Sequence, residues 1–161
     1  MSQHKPVIGI SCGDLNGIGI ELIIKTFQDA RVFDHCTPVL YASGKVINFY
    51  RKTIPDSNLN YQTLRDYERL NPKQLNVFTC WEEDVNITPG ELTEIGGKYA
   101  VISLQSAVAA LQQKQIDGLV TAPIHKKNVQ SAEFPHTGHT PYLKQFFQAP
   151  EVVMMMCSEQ L

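Results

Sequence analysis

PVIGISCGDLNGIGIELIIKTF, residues 6–27, runs from a short apolar segment through a glycine-rich bend into a stretch of helical periodicity. PVIGISC (6–12) is compact, apolar and bounded by glycine, which predicts a buried strand. After the bend GDLNGIG, the apolar residues Leu22, Ile23, Phe27 and Ala30 recur at helical spacing. They predict a helix over 20–33, with Asn16 as its N-cap. A strand that turns directly into a helix is the opening of a β–α unit.

Working outward, the same alternation recurs. TPVLYA (37–42) reads as a second strand, and Ser43 opens a helix over GKVINFYRKT that ends before Ile54 and Pro55. NLNYQTL (58–64) and QLNVFTC (74–80) read as strands on either side of an Asn-Pro turn. NITPGELTEIGG (86–97) is rich in turn formers and reads as a loop. KYAVISLQSAVAALQQKQ (98–115) is the clearest helix, with Ala100, Leu104, Ala107, Val108 and Leu111 on one face. IDGLVTAP (116–123) reads as a buried strand, Thr140-Pro141 as the N-cap and first position of a helix through Phe147, and EVVMMMC (151–157) as a last strand. Continuous apolar strands alternating with helices predict an α/β fold: a mostly parallel sheet with helices on both faces.

Composition sets the class. The chain has 161 residues, 43% apolar and 19% charged, which suits one globular domain with a real core. A net charge of -2 argues against a nucleic-acid binder. No apolar run approaches a membrane span, and the N-terminal MSQHKPVIGIS has no secretory-signal pattern. Four cysteines with no C-x-x-C pair suit reduced thiols in a cytoplasmic protein.

Three loops carry chemistry. In the first, Gly13, Gly17 and Gly19 follow neither the dinucleotide fingerprint nor the P-loop pattern. Two readings stand: a tight strand-to-helix turn, or helix-terminal amides that receive an anion. Asp14 there either meets a substrate hydroxyl or ammonium group, or caps the helix. The second loop, VTAPIHKKNV (120–129), leaves the C-terminal end of a predicted strand, where doubly wound folds bind ligands. Thr121 and Lys126 are its candidate phosphate or carboxylate contacts; Lys127 reads as a solvated helix residue. The third, PHTGHTPYL (135–143), carries His136 and His139. Both precede the predicted helix start, and no third ligand stands at a familiar spacing, so a metal site within this chain is not expected. His139 with Thr140 reads as a substrate clamp, Thr140 also as a helix cap, and His136 as a surface loop residue.

GDLNGIGIEL, VTAPIHK and FPHTGHTPYL, in that order, together with ITPGELTEIGGKYAV, resemble the N-terminal half of the 4-hydroxythreonine-4-phosphate dehydrogenase family. That family belongs to the wider isocitrate and isopropylmalate dehydrogenase-like group. The resemblance implies NAD-dependent oxidation of 4-phosphooxy-L-threonine, then decarboxylation to 3-amino-2-oxopropyl phosphate, in pyridoxal 5'-phosphate biosynthesis. It also implies a divalent metal (Zn, Mg or Co) whose histidine ligands lie outside these residues, and a cytoplasmic homodimer with its site between two domains. His139 and Thr140 match the family's substrate-binding His-Thr pair; His136 stands where the family usually has an aromatic residue, and Leu15-Asn16 where Pro and Ala are common. Residues 1–161 are therefore expected to be the N-terminal portion of a two-domain dehydrogenase, incomplete and inactive alone. A non-catalytic phosphate-binding module and a phosphate acyltransferase relative are the alternatives.

Overall fold

The computed structural model describes residues 5–131 and 133–158. Five strands, β1 (Val7–Ser11), β2 (Thr37–Ala42), β3 (Tyr61–Leu64), β4 (Leu75–Thr79) and β5 (Gly118–Thr121), form one sheet in the order β3-β4-β2-β1-β5. Every pairing is parallel. The helices are α1 (Gly19–Phe27), α2 (Gly44–Thr53), α3 (Glu94–Gln112), the single turn α4 (Lys126–Val129) and α5 (His139–Phe146), with a 3-10 turn over Ala30–Asp34.

Strand alternation divides the core in two. Leu40 and Ala42 of β2 pack with α1 and α2 on one face. Val39 and Tyr41 point the other way, against Ala107 and Ala110 of α3. The link between β3 and β4 folds Tyr67 onto this second face, its hydroxyl 2.6 Å from that of Tyr41 and its ring stacked on Phe78. The parallel sheet covered on both faces is the architecture expected from the alternating pattern.

Chain order sets the position of the site. From β1 the chain moves outward through β2 to β3 and β4, then returns to place β5 on the other side of β1. The loops after β1 and β5 thus leave neighbouring strand ends where the winding reverses, the place such sheets use for ligands.

Several local expectations are corrected. The helix predicted over 20–33 ends at Phe27; Asp29 then accepts a hydrogen bond from the Arg31 amide and starts the 3-10 turn. Its buried face is Ile20, Ile23, Ile24 and Phe27, whereas Leu22 is 49% exposed and Ala30 is exposed, because the adjacent isoleucines set the stripe one step further round. Asn16 does not cap it; Ile18 holds that position without a side-chain bond. α3 begins four residues before its expected start, at Glu94, because the Thr93 hydroxyl accepts from the Gly96 amide. β5 is not buried: it is the sheet edge, and Val120 is 55% exposed. Residues 151–157 form no strand, since among the described residues no neighbouring strand offers them a ladder. By contrast Ser43 caps α2 as expected, accepting from the Lys45 amide.

Candidate functional site: a cleft at the end of the fifth strand

The glycine loop after β1 packs against protein. Gly13 has a left-handed backbone (φ +70), and a Cβ there would lie 2.3 Å from the Pro123 carbonyl oxygen. At Gly19 a Cβ would meet the Cys12 carbonyl oxygen at 2.8 Å and Ala122 Cβ at 3.0 Å. The missing side chains let the loop lie directly on the segment that follows β5, the tight-turn reading of these glycines.

Asp14 is buried within this contact. Its amide donates to the Pro123 carbonyl oxygen at 3.0 Å. Oδ1 accepts from the Asn16 amide at 3.0 Å, and Oδ2 from Asn128 Nδ2 at 3.1 Å. Asn16 continues the network: its Nδ2 donates to Thr93 Oγ1 at 2.8 Å and to the Glu91 carbonyl, and its Oδ1 accepts from the Thr88 amide. Asp14 does not line the cleft described next.

That cleft, about 540 Å³, opens between the segment after β5 and the start of α5. It brings together Thr121, Lys126, His139 and Thr140, with Thr137, Gly138 and Met154 also in its wall. Lys126 opens α4, whose N-cap is His125: its Nδ1 accepts from the Lys127 amide at 3.3 Å. The Lys126 stem passes over Gly138, its Cε 3.9 Å from where a Cβ on that glycine would stand. No carboxylate pairs with Lys126 among the described residues.

α5 starts at His139, with Gly138 as its N-cap and no side-chain cap bond. Thr140 is therefore the second helical residue, and its expected role as the cap is overturned; extended backbone at Gly138 turns the chain one residue earlier. The first-turn amides of His139 and Thr140 are left without the hydroxyl a capping residue would supply, and Pro141 has none to offer. His139 is half-buried, and its Nε2 is buried with no partner among the described residues. Burial pushes its pKa below the ordinary histidine value, so the neutral ring is favoured near pH 7.

His136 is half-buried rather than a free surface residue. Its ring stands edge-on to Phe134 and Tyr142, with centroids 5.0 and 5.4 Å away. Among the described residues no three His, Cys, Asp or Glu side chains converge as a metal site. The side chains present here do not by themselves fit a divalent metal.

Chemically, the cleft offers one cation with no carboxylate partner among the described residues, one neutral imidazole, the three hydroxyls of Thr121, Thr137 and Thr140, and a helix N-terminus. That set suits an anionic, hydroxyl-bearing small molecule. Sequence reasoning missed Asn128 and Gly138. Asn128 carried no motif; Gly138 stood in plain view beside His139 but was outranked as a cap by threonine.

The chain is similar to known proteins in sequence and in fold. The family model "Pyridoxal phosphate biosynthetic protein PdxA" matches residues 34–161. A 4-hydroxythreonine-4-phosphate dehydrogenase of Bacteroides thetaiotaomicron is 36% identical, with 90% of this chain and 40% of that protein aligned. A protein of Oceanobacillus iheyensis, provisionally named a D-threonate 4-phosphate dehydrogenase, is 27% identical over 99% of this chain and 48% of its own. A crystal structure of a 4-hydroxythreonine-4-phosphate dehydrogenase from Burkholderia phymatum superposes with a TM-score of 0.85 at 26% identity, covering 99% of this chain and 48% of that one. The chain thus spans less than half the length of these relatives. By the extent of the model match and the agreement of fold, the chain belongs to the PdxA family of pyridoxal phosphate biosynthetic proteins.

Proposed function

We propose that this chain is the N-terminal portion of an NAD-dependent 4-hydroxythreonine-4-phosphate dehydrogenase, and that its cleft grips the phosphorylated substrate. The observation that carries the reading is the convergence of Thr121, Lys126, His139 and Thr140 on one cleft in a PdxA-family fold. The relatives' names support the substrate class.

In this reading Lys126 supplies the positive charge that draws the anion in, and the open N-terminus of α5 with the Thr140 hydroxyl supplies hydrogen bonds to its oxygens. His139, neutral, offers Nε2 to a substrate hydroxyl or carboxylate and fixes its orientation. Thr121, at the end of β5, holds the opposite wall. In the intact enzyme NAD would accept the hydride of the substrate's secondary alcohol, and the β-keto acid so formed would lose carbon dioxide to give 3-amino-2-oxopropyl phosphate. The assembled enzyme is a homodimer in this proposal, with the remaining contacts supplied from outside residues 1–161.

The test is NAD reduction by the intact protein that carries this chain, with 4-phosphooxy-L-threonine or D-threonate 4-phosphate and a divalent metal. Turnover with 4-phosphooxy-L-threonine, abolished by His139→Ala, supports the reading. Phosphate binding with no NAD reduction on either compound sinks it and leaves a phosphate-binding module. Turnover of only D-threonate 4-phosphate keeps the chemistry and corrects the substrate.

A further inference from the structure

α4 is a single turn, too short to hold itself in place. Its cap bond from the Lys127 amide to His125 is long, at 3.3 Å. Yet its first residue, Lys126, carries the charge of the cleft, so something outside the turn has to set where that ammonium stands. Asp14 supplies two tethers. Its amide holds the start of the bend at the Pro123 carbonyl, and its carboxylate holds the end of the bend at Asn128 Nδ2. Asn128 is anchored a second time, through the Thr93 carbonyl at the start of α3, at 3.2 Å. Lys126 and Asn128 lie two residues apart and so project to opposite sides of the turn, one toward the cleft and one into the protein. The bend 123–128 is therefore clamped on its inner side while its outer side faces the ligand.

We infer that Asp14 and Asn128 are a positioning pair: their hydrogen bond sets the place of Lys126 in the cleft without either side chain touching the ligand. This inference rests on the reading of the cleft as a phosphate site. It gives the buried carboxylate of Asp14 a role at the site that does not require it to meet substrate.

A double-mutant cycle read with inorganic phosphate tests it. The 161-residue chain, Lys126→Ala, Asn128→Ala and the double variant are titrated and followed by the amide shifts of His139 and Thr140. Lys126→Ala should weaken binding about tenfold, the weight of one charge-assisted contact. Asn128→Ala should weaken it about fivefold when Lys126 is present and not at all when it is absent, because its effect passes through that ammonium. Circular dichroism checks folding; where Asn128→Ala does not fold, Asn128→Ser replaces it, a polar side chain too short to span the contact. If the loss from the Asn128 variant is the same in both backgrounds, or is absent, the pair does not position Lys126. If the unaltered chain binds no phosphate, or Lys126→Ala changes nothing, the phosphate reading of the cleft fails and takes the inference with it.

Discussion

A methyl group at Gly97 would stand 1.8 Å from the carbonyl oxygen of Asn128. α3 and α4 thus meet backbone to backbone, and only glycine on the first turn of α3 allows it. Main chain cannot swing aside as a side-chain tip can, so Gly97→Ala must push α4 away from α3. We expect a loss of about 2 kcal/mol or more, the upper part of the overpacking range. Gly90→Ala is the comparison: its backbone is left-handed (φ +86) but nothing lies within 4 Å, so only conformational strain of about 1 kcal/mol is expected. Urea midpoints of the two variants decide it; a Gly97→Ala protein as stable as Gly90→Ala would show that the helices do not meet in this way.

His139 makes the fold sensitive to mild acid. Burial holds its pKa in the folded state below the unfolded value of about 6.5. Above that value neither state carries the proton, and the histidine adds no pH dependence. As pH falls through the window between the unfolded and the folded pKa, the unfolded chain takes up a proton that the folded chain refuses, and stability declines. His139→Gln should flatten this part of the stability-against-pH curve while leaving the curve above pH 7 unchanged in shape. A bound anion should work in the opposite direction. Inorganic phosphate in the cleft should raise the His139 pKa, visible as a later midpoint in its proton NMR titration. A midpoint that ignores phosphate would place the anion elsewhere.

Thiol reactivity should follow burial. Cys12 is fully buried, and desolvation pushes its pKa up to about 12; Cys80 is raised to about 11 for the same reason. Cys157 is exposed. A maleimide added to the native chain at pH 7.5 should label Cys157 first and leave Cys12 and Cys80 until the protein is unfolded, since the thiolate is the reacting form. Mass spectrometry of early peptides reports the order. Early labelling at Cys12 would mean that β1 opens far more readily than its place inside the sheet implies.

These particulars show how far a sequence can be read. The strands were legible because each is a short apolar run with a turn former at its edge, and Ser43 was legible because capping is local chemistry. His139, Lys126 and Thr121 could be picked out because they stand at the ends of such elements, and the structure brings them to one cleft. Asn128 could not. Its partner Asp14 is 114 positions away, and nothing near either residue advertises the contact. The exposure of Val120 was equally hidden, because an apolar strand reads the same in the middle of a sheet as at its edge. Thr140 misled for a different reason: a strong capping residue followed by proline outranked a glycine whose extended backbone did the turning.

The run VVMMM at 152–156 should govern how the isolated chain behaves in solution. Val153, Met154, Met155 and Met156 are each at least 76% exposed; Met154 shares a cleft wall with Thr121 at the end of β5, which is an edge strand among the described residues. An apolar strip next to an open edge is a template for association. The 161-residue chain should therefore elute larger than a monomer at high concentration and shift toward monomer on dilution. Val153→Lys with Met155→Lys should shift it toward monomer at all concentrations, because both side chains add charge where the strip has none. Phosphate binding should survive that change, since neither residue is among the cleft-lining side chains. Light scattering with sizing separates the outcomes: a monodisperse monomer of the unaltered chain at high concentration would show that the strip is shielded and that this exposure does not drive association.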